Sequence, residues 1–351
     1  MSDNSDTADA SAAPLLVETE QLKHYTNPAA LAGIFAGSEL GGVMRTQPAD
    51  FCVTELSDHQ LSGSGEHIWL RVRKTGQNTA WVAKQLAAFA GVESKAVGYA
   101  GLKDRHAVTE QWFSIWMPGK TDPDWSDFAV EGVELLESTR HTAKLRTGDL
   151  TGNHFSLTIR ELCGDRNELA QRLARLAKSG VPNYFGEQRF GIAGGNLDLF
   201  EAMGRRVRLA RNKKSFALSA ARSSMFNAYL NQRVADDTWN QCCDDDVPLS
   251  DRDGGLNAWV ALSEVAGESP HPTGALWGEG GGRLSSGEAD FYAGFPEAAT
   301  LLERLHVKQH RRSLWLPVSK LEHSIEADVL RLSFSLPPGA FATAVVAALL
   351  K

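Results

Sequence analysis

At 351 residues the chain has room for about two domains, each with its own core, and 42% hydrophobic with 23% charged residues is the composition of an ordinary globular protein. No apolar run is long enough to span a bilayer, the acidic start does not read as a secretory signal, and four cysteines without a C-x-x-C pair point away from a disulfide framework and towards the reducing cytoplasm. The formal charge of −7 argues against a polyanionic partner only until it is mapped: residues 1–24 carry −4 and residues 236–253 carry −6, which leaves +3 for everything else and room for basic clusters.

Residues 1–13 are small, polar and acidic, and are expected to be disordered because they cannot bury enough surface to offset ordering. The stretch GGVMRTQPADFCVTE, residues 41–55, predicts a glycine-punctuated loop, a turn at Pro48 and a strand through Phe51, Val53 and Glu55. GEHIWLRVRK, residues 65–74, alternates Ile68, Leu70 and Val72 with His67, Trp69, Arg71 and Arg73, a half-exposed strand with one basic face. Asn78 stands where an N-cap would, ahead of a helical pattern from Thr79 to Ala90.

Next comes GYAGLKDRHAVTEQWFSI, residues 98–115. A Lys-Asp-Arg-His run lies between two segments of strand character, on a connector fixed at both ends. Asp104, flanked by Lys103 and Arg105, is expected to stay ionised beside those cations and could serve as a nucleophile or a base. Further on, residues 139–160 give a basic stretch, a glycine turn in which Asn153 reads as a turn residue, and an alternating strand from Phe155 to Ile159. Asn167 to Ser179 has Leu169, Leu173 and Leu176 at helical spacing and closes on Gly180. VPNYFGEQRFG, residues 181–191, places Tyr184, Phe185 and Phe190 in a core, with Arg189 a candidate to face RNA.

RRVRLARNKK, residues 205–214, reads as a basic helix suited to phosphate, with Arg205, Arg206, Arg208, Arg211, Lys213 and Lys214 as candidate RNA contacts. The acidic run 236–253 should face away from a polyanion, and WGEGGGR, residues 277–283, lacks the ending of a P-loop and reads as a flexible loop. The close is a strand from Val329 to Leu336, a Pro-Pro-Gly turn and a helix from Ala340 to Leu350.

The 98–115 and 181–191 segments, with Pro-Ala-Asp-Phe-Cys-Val-Thr-Glu at 48–55, resemble the signatures of the TruD family of tRNA pseudouridine synthases. The resemblance implies an α+β fold: a pseudouridine-synthase-type mixed, largely antiparallel sheet with flanking helices, an inserted α/β TRUD domain, and a cleft between them. The implied division is an acidic tail over 1–20, a catalytic domain over 21–178, the insertion over 179–305 and a return to the catalytic domain over 306–351. It also implies Asp104 as the catalytic carboxylate, Arg45 (where many members have Lys) as its cationic partner, Phe51 as a pocket wall, and Asn153 and Phe155 as contacts to the target base. The implied activity is isomerisation of uridine 13 of tRNA on a flipped-out nucleotide, with tRNA as partner, no cofactor, no metal, no membrane and no obligatory protein partner. Two rivals stand beside it. One is a non-catalytic tRNA-binding protein on the same scaffold; the other is a carboxylate-dependent hydrolase using Glu55 or Glu110 as a second acid.

Overall fold

The computed structural model describes residues 14–35, 40–247, 271–280 and 284–350. The expected tail at 1–13, part of the acidic run (248–253) and the end of the glycine loop (281–283) lie outside the described residues. The chain divides into two units, one made of Glu39–Arg166 with Val318–Ala340, the other of the described parts of Met1–Ser38, Asn167–Pro317 and Phe341–Lys351. This division differs from the expected one, because residues 21–35, 167–178 and 306–317 and the last helix fall outside the sheet-bearing unit.

In chain order the strands are β1 (Gly41–Met44), β2 (Phe51–Leu56), β3 (His67–Thr75), β4 (Val97–Tyr99), β5 (Val108–Trp116), β6 (Val133–His141), β7 (Gly152–Cys163), β8 (Val181–Pro182), β9 (Thr273–Leu276), β10 (His310–Ser313), β11 (Trp315–Leu316), β12 (Ser319–Glu326) and β13 (Val329–Leu336). Nine of them form one sheet in the order β12-β13-β7-β2-β5-β3-β6, with β1 on β7 and β4 on β5. Every pairing in it is antiparallel except β2 with β5. The fold class is therefore α+β around a large, mostly antiparallel sheet.

The helices are α1 (Glu20–Lys23), α2 (Thr79–Phe89), α3 (Arg166–Ser179), α4 (Gly195–Gly204), α5 (Arg211–Ala235), α6 (Ser286–Tyr292), α7 (Pro296–Arg304) and α8 (Ala342–Leu350). Helix α2 lays Val82 and Leu86 on Ile68, Leu70, Val72, Phe113 and Ile115 of the sheet. Each fully buried aliphatic side chain there contributes about 1.5–3 kcal/mol relative to exposure. Asn78 does sit at the N-cap position, yet its side chain makes no capping bond. The alternation expected of β3 is also incomplete. Trp69, placed on the basic face, is 1% exposed and donates through Nε1 to Ala143 O at 2.9 Å, because the loop through Leu145 and Leu150 covers that side of the sheet.

In the other unit, α3 buries Leu169, Leu173 and Leu176 and ends at Gly180, whose φ of 66° is left-handed. A Cβ there would lie 2.4 Å from Leu316 O. Tyr184, Phe185 and Phe190 are buried as expected. Asn227, in the middle of α5, accepts from Phe185 N at 2.8 Å and donates to Phe185 O at 3.0 Å, which fastens the segment after β8 to that helix. No helix among the described residues is long and apolar enough to cross a membrane.

Candidate active site

Between β4 and β5 the chain makes an irregular loop, 100–107, held from several sides of the sheet unit. Lys103 N donates to Thr79 Oγ1 at 2.9 Å, and Thr79 Oγ1 donates to Gln111 Oε1 at 2.9 Å. Gln111 Nε2 in turn donates to Gly101 O at 3.0 Å. From β3, Lys74 Nζ donates to Asp104 O at 2.8 Å and to Lys103 O at 3.4 Å. A loop so tied presents its one carboxylate in a set orientation.

The charges in this loop do not pair with their sequence neighbours. Lys103 turns inward, where Nζ donates to Glu55 Oε2 at 2.6 Å, and the two side chains are 6% and 1% exposed. Arg105 donates through Nε to Gly76 O at 3.1 Å. Asp104 is left to Arg45, whose Nη2 donates to Asp104 Oδ2 at 2.8 Å. The cation beside Asp104 is thus brought from 59 positions away rather than from position 103 or 105. Arg45 adopts a left-handed φ of 60° in the connector between β1 and β2, and its Cζ lies 3.9 Å from the centroid of the Phe51 ring. Seated on that ring, the guanidinium has one face fixed and presents Nη2 to the carboxylate.

Pairing of β2, β7 and β13 brings the remaining expected residues onto one sheet face: Glu55 lies opposite Asn153, Asn153 opposite Leu336, and Phe155 opposite Phe334. Phe51 meets Phe155 edge to face at 6.1 Å, and Phe155 stacks on Phe334 at 5.6 Å. Phe51 and Phe155 are 3% and 6% exposed, so little of either ring is open to an entering base. Asn153 Oδ1 is enclosed with no hydrogen-bond partner among the described residues, an acceptor suited to the N–H of an entering base. Asp104 is 38% exposed at its side chain and lines an open cavity of about 430 Å³ with Asn78, Thr79, Trp81, Lys84, Leu102 and Arg105, whereas Arg45, Phe51, Asn153 and Phe155 do not line it. That volume is in the range of small-molecule sites.

Lys74, Thr79, Gln111 and Phe334 were not singled out by the sequence. Lys74 had a visible signal: it follows Ile68, Leu70 and Val72 in phase on β3, at a position where alternation calls for an apolar residue. Its side chain is fully buried, and burial pushes the amine down from 10.5 to about 8, against the pull of Asp104 and with the help of Lys103. The basic face of β3 is neutralised internally, with Arg71 and Arg73 both on Glu110 and Arg73 also on Glu134. Neither Glu55 nor Glu110 is therefore free to act as a second acid.

The expected basic helix at 205–214 is not one helix. Helix α4 ends at Gly204, Arg206 takes a φ of 64°, and α5 begins at Arg211. Arg205 pairs with Glu201, while Arg208, Arg211 and Lys213 are exposed and Lys214 is partly so. His306 and His310, four apart, lie after α7 and in β10 rather than on one helical turn. Among the described residues no group of three or more His, Cys, Asp or Glu could hold a metal ion.

Comparison with known proteins finds relatives of the chain. The profile described as TruD, tRNA pseudouridine synthase D, matches residues 34–200. The chain is 43% identical over 321 residues to a tRNA pseudouridine synthase D of Aeromonas salmonicida, covering 88% of this chain and 91% of that one. It is 42% identical over 342 residues to that of Hydrogenovibrio crunogenus, covering 91% and 96%. The crystal structure of a protein from Methanosarcina mazei, described as the putative tRNA pseudouridine synthase D (TruD), superposes with a TM-score of 0.71 at 20% identity, over 95% of this chain and 98% of that one, a likeness of fold.

Proposed function

The chain belongs to the TruD family of tRNA pseudouridine synthases, and from that premise we propose that it isomerises uridine 13 of tRNA to pseudouridine, with Asp104 as the catalytic carboxylate. The observation that carries this assignment is the pairing of Asp104 with Arg45 on the Phe51 ring, beside an open cavity. In the reaction the bond from uracil N1 to ribose C1′ breaks, the base turns, C5 joins C1′, and the C5 proton is replaced by one on N1, so no atom is lost. With Oδ2 held by Arg45, Oδ1 of Asp104 has no hydrogen bond among the described residues and is the oxygen available to the nucleotide. It can add to the base, attack C1′ or take a ribose proton.

The target base must leave the stack to reach that oxygen, at a cost of a few kcal/mol. Asn153 Oδ1, Phe51 and Phe155 are the groups assigned to receive it. Arg205, Arg206, Arg208, Arg211, Lys213 and Lys214 are assigned to the RNA backbone, and tRNA and the cytoplasm follow as partner and place.

The test is incubation of wild type and Asp104→Asn with unmodified tRNA transcript, followed by mapping of pseudouridine at position 13. Asp104→Asn should fold and bind tRNA yet form no pseudouridine. Full activity in that variant would refute the role of Asp104, and free uracil released by wild type would replace isomerisation with hydrolysis.

A further inference from the structure

The helix-rich unit treats its enclosed arginines in two ways. Arg172, Arg233 and Arg311 are nearly buried and each is paired with an acid, Glu168, Asp246 and Glu288 respectively. Arg189, Arg222 and Arg312 are half-buried, and among the described residues none of them is paired with a carboxylate. Their partners are neutral. Arg312 donates through Nη2 to Asn183 Oδ1 at 2.5 Å and through Nε to Asn183 O at 3.4 Å. Arg189 donates through Nη1 to Ser219 Oγ at 3.2 Å. Arg222, one turn further along α5, donates through Nη2 to Leu276 O at 3.0 Å.

Two of these guanidiniums share one aromatic ring. The Cζ of Arg312 lies 4.0 Å, and that of Arg189 5.3 Å, from the centroid of Phe185. The seat is rigid: Phe185 is buried and tied to Asn227, and Asn183 is fixed by its own bonds to Ser313 O at 2.8 Å and Leu314 O at 2.9 Å. Among the described residues, the Nε atoms of Arg189 and Arg222 are enclosed with no acceptor. Glu187, in the same turn as Arg189, is exposed, and among the described residues it makes no ion pair with Arg189 or Arg312.

We propose that Arg189 and Arg312, held on Phe185 and supported by Arg222, form a binding site for the phosphodiester backbone of the substrate RNA. The proposal rests on tRNA being the substrate. A phosphate satisfies what the fold leaves open: it accepts in the plane of a guanidinium through two oxygens and offsets the repulsion of two like charges. Burial, and then the charge of Arg189, push Arg312 down to about 9, and burial lowers Arg189 and Arg222 as well, so all three are charges that an anion would relieve. The site is distinct from the exposed cations at 205–214, since two of its guanidiniums are seated on the buried Phe185 ring.

The test compares wild type, Arg189→Gln, Arg312→Gln and the charge-keeping Arg189→Lys and Arg312→Lys as full chains. Affinity for tRNA is measured over a salt series, with circular dichroism and thermal unfolding as a check on the fold. Each Gln variant should lose about tenfold in affinity and flatten the slope of log K against log salt by about one unit, while the Lys variants keep most of the slope. If Arg312→Gln does not fold, Arg189→Gln and Arg312→Lys carry the comparison, the latter losing affinity while keeping the slope. In a second arm the Nε–Hε signals of wild type, assigned from the variants, are titrated with inorganic pyrophosphate, and those of Arg189 and Arg312 should shift together. Wild-type slopes in folded Gln variants, or unmoved Nε–Hε signals, overturn the site while leaving the enzyme assignment intact. Absence of pseudouridine with wild type overturns that assignment, and the pyrophosphate titration still decides the site.

Discussion

Replacing Arg45 separates what this residue does for the fold from what it does for the reaction. Its ion pair with Asp104 is 2.8 Å long, with the two side chains 25% and 38% exposed, so solvent screens much of the attraction. A partly exposed pair of this kind contributes about 1 kcal/mol or less to stability. The φ of 60° acts the other way, because an L-residue there is strained by about 1–2 kcal/mol. Arg45→Gly should therefore be more stable than Arg45→Ala, by about 1 kcal/mol in urea unfolding, since glycine accepts that backbone without a steric penalty. The reaction should respond differently. Both variants lose a charge-assisted hydrogen bond to the reacting carboxylate, worth about 1.5–3 kcal/mol, which is about 10- to 150-fold in rate. Arg45→Lys keeps the charge but loses the planar seat on Phe51, and should fall between them and wild type. The assay is single-turnover formation of pseudouridine at saturating enzyme, so that tRNA binding does not enter. Rates for Arg45→Ala within twofold of wild type, in a folded protein, would refute the coupling of Arg45 to Asp104.

Lys103→Met leaves Glu55 charged and enclosed, and should cost about 3–5 kcal/mol in urea unfolding, whereas Lys103→Met with Glu55→Leu should regain most of it; equal stability of the two variants counts against a buried pair. Lys74 has a folded-state pKa of about 8 against 10.5 when free, so between those values the unfolded chain binds the extra proton and stability rises with pH. The penalty is complete below pH 8 and relieved on the order of 3 kcal/mol by pH 10.5. Subtracting the profile of Lys74→Met from that of wild type isolates this rise, and a flat difference between pH 8 and 10.5 contradicts it.

Periodic segments were legible: β2, β13 and α3 fall where alternation and leucine spacing put them, because each buries one face against a neighbour. Within the site, Arg45, Phe51, Asn153, Phe155 and Asp104 were reached through motif resemblance, and the sheet register brings Glu55, Asn153 and Phe155 onto one face. What failed to show depended on segments far apart in the chain. Trp69 looked solvent-facing because nothing local announces that residues near Leu145 return to cover it. The basic run at 205–214 looked helical because its charges said nothing of backbone; Gly204 was the available warning, since a Cβ there would meet Leu15 O at 2.4 Å.

The arrangement around Asp104 amounts to an exchange of partners. In the linear chain Asp104 has a lysine before it and an arginine after it, and a flexible loop would let either neutralise it in many geometries. The fold removes both choices by sending Lys103 to Glu55 and Arg105 to the carbonyl of Gly76. It then supplies one guanidinium whose position is fixed by an aromatic ring. A buried Lys–Glu pair seldom stabilises more than an apolar pair of the same size, so its presence at this point is better explained by geometry than by stability. It holds a competing cation away from the carboxylate and pins the residue next to it. By that reasoning the double variant lacking both Lys103 and Glu55 should fold nearly as well as wild type yet form pseudouridine more slowly, and a double variant that is both stable and fully active would show that the exchange of partners has no role in the reaction.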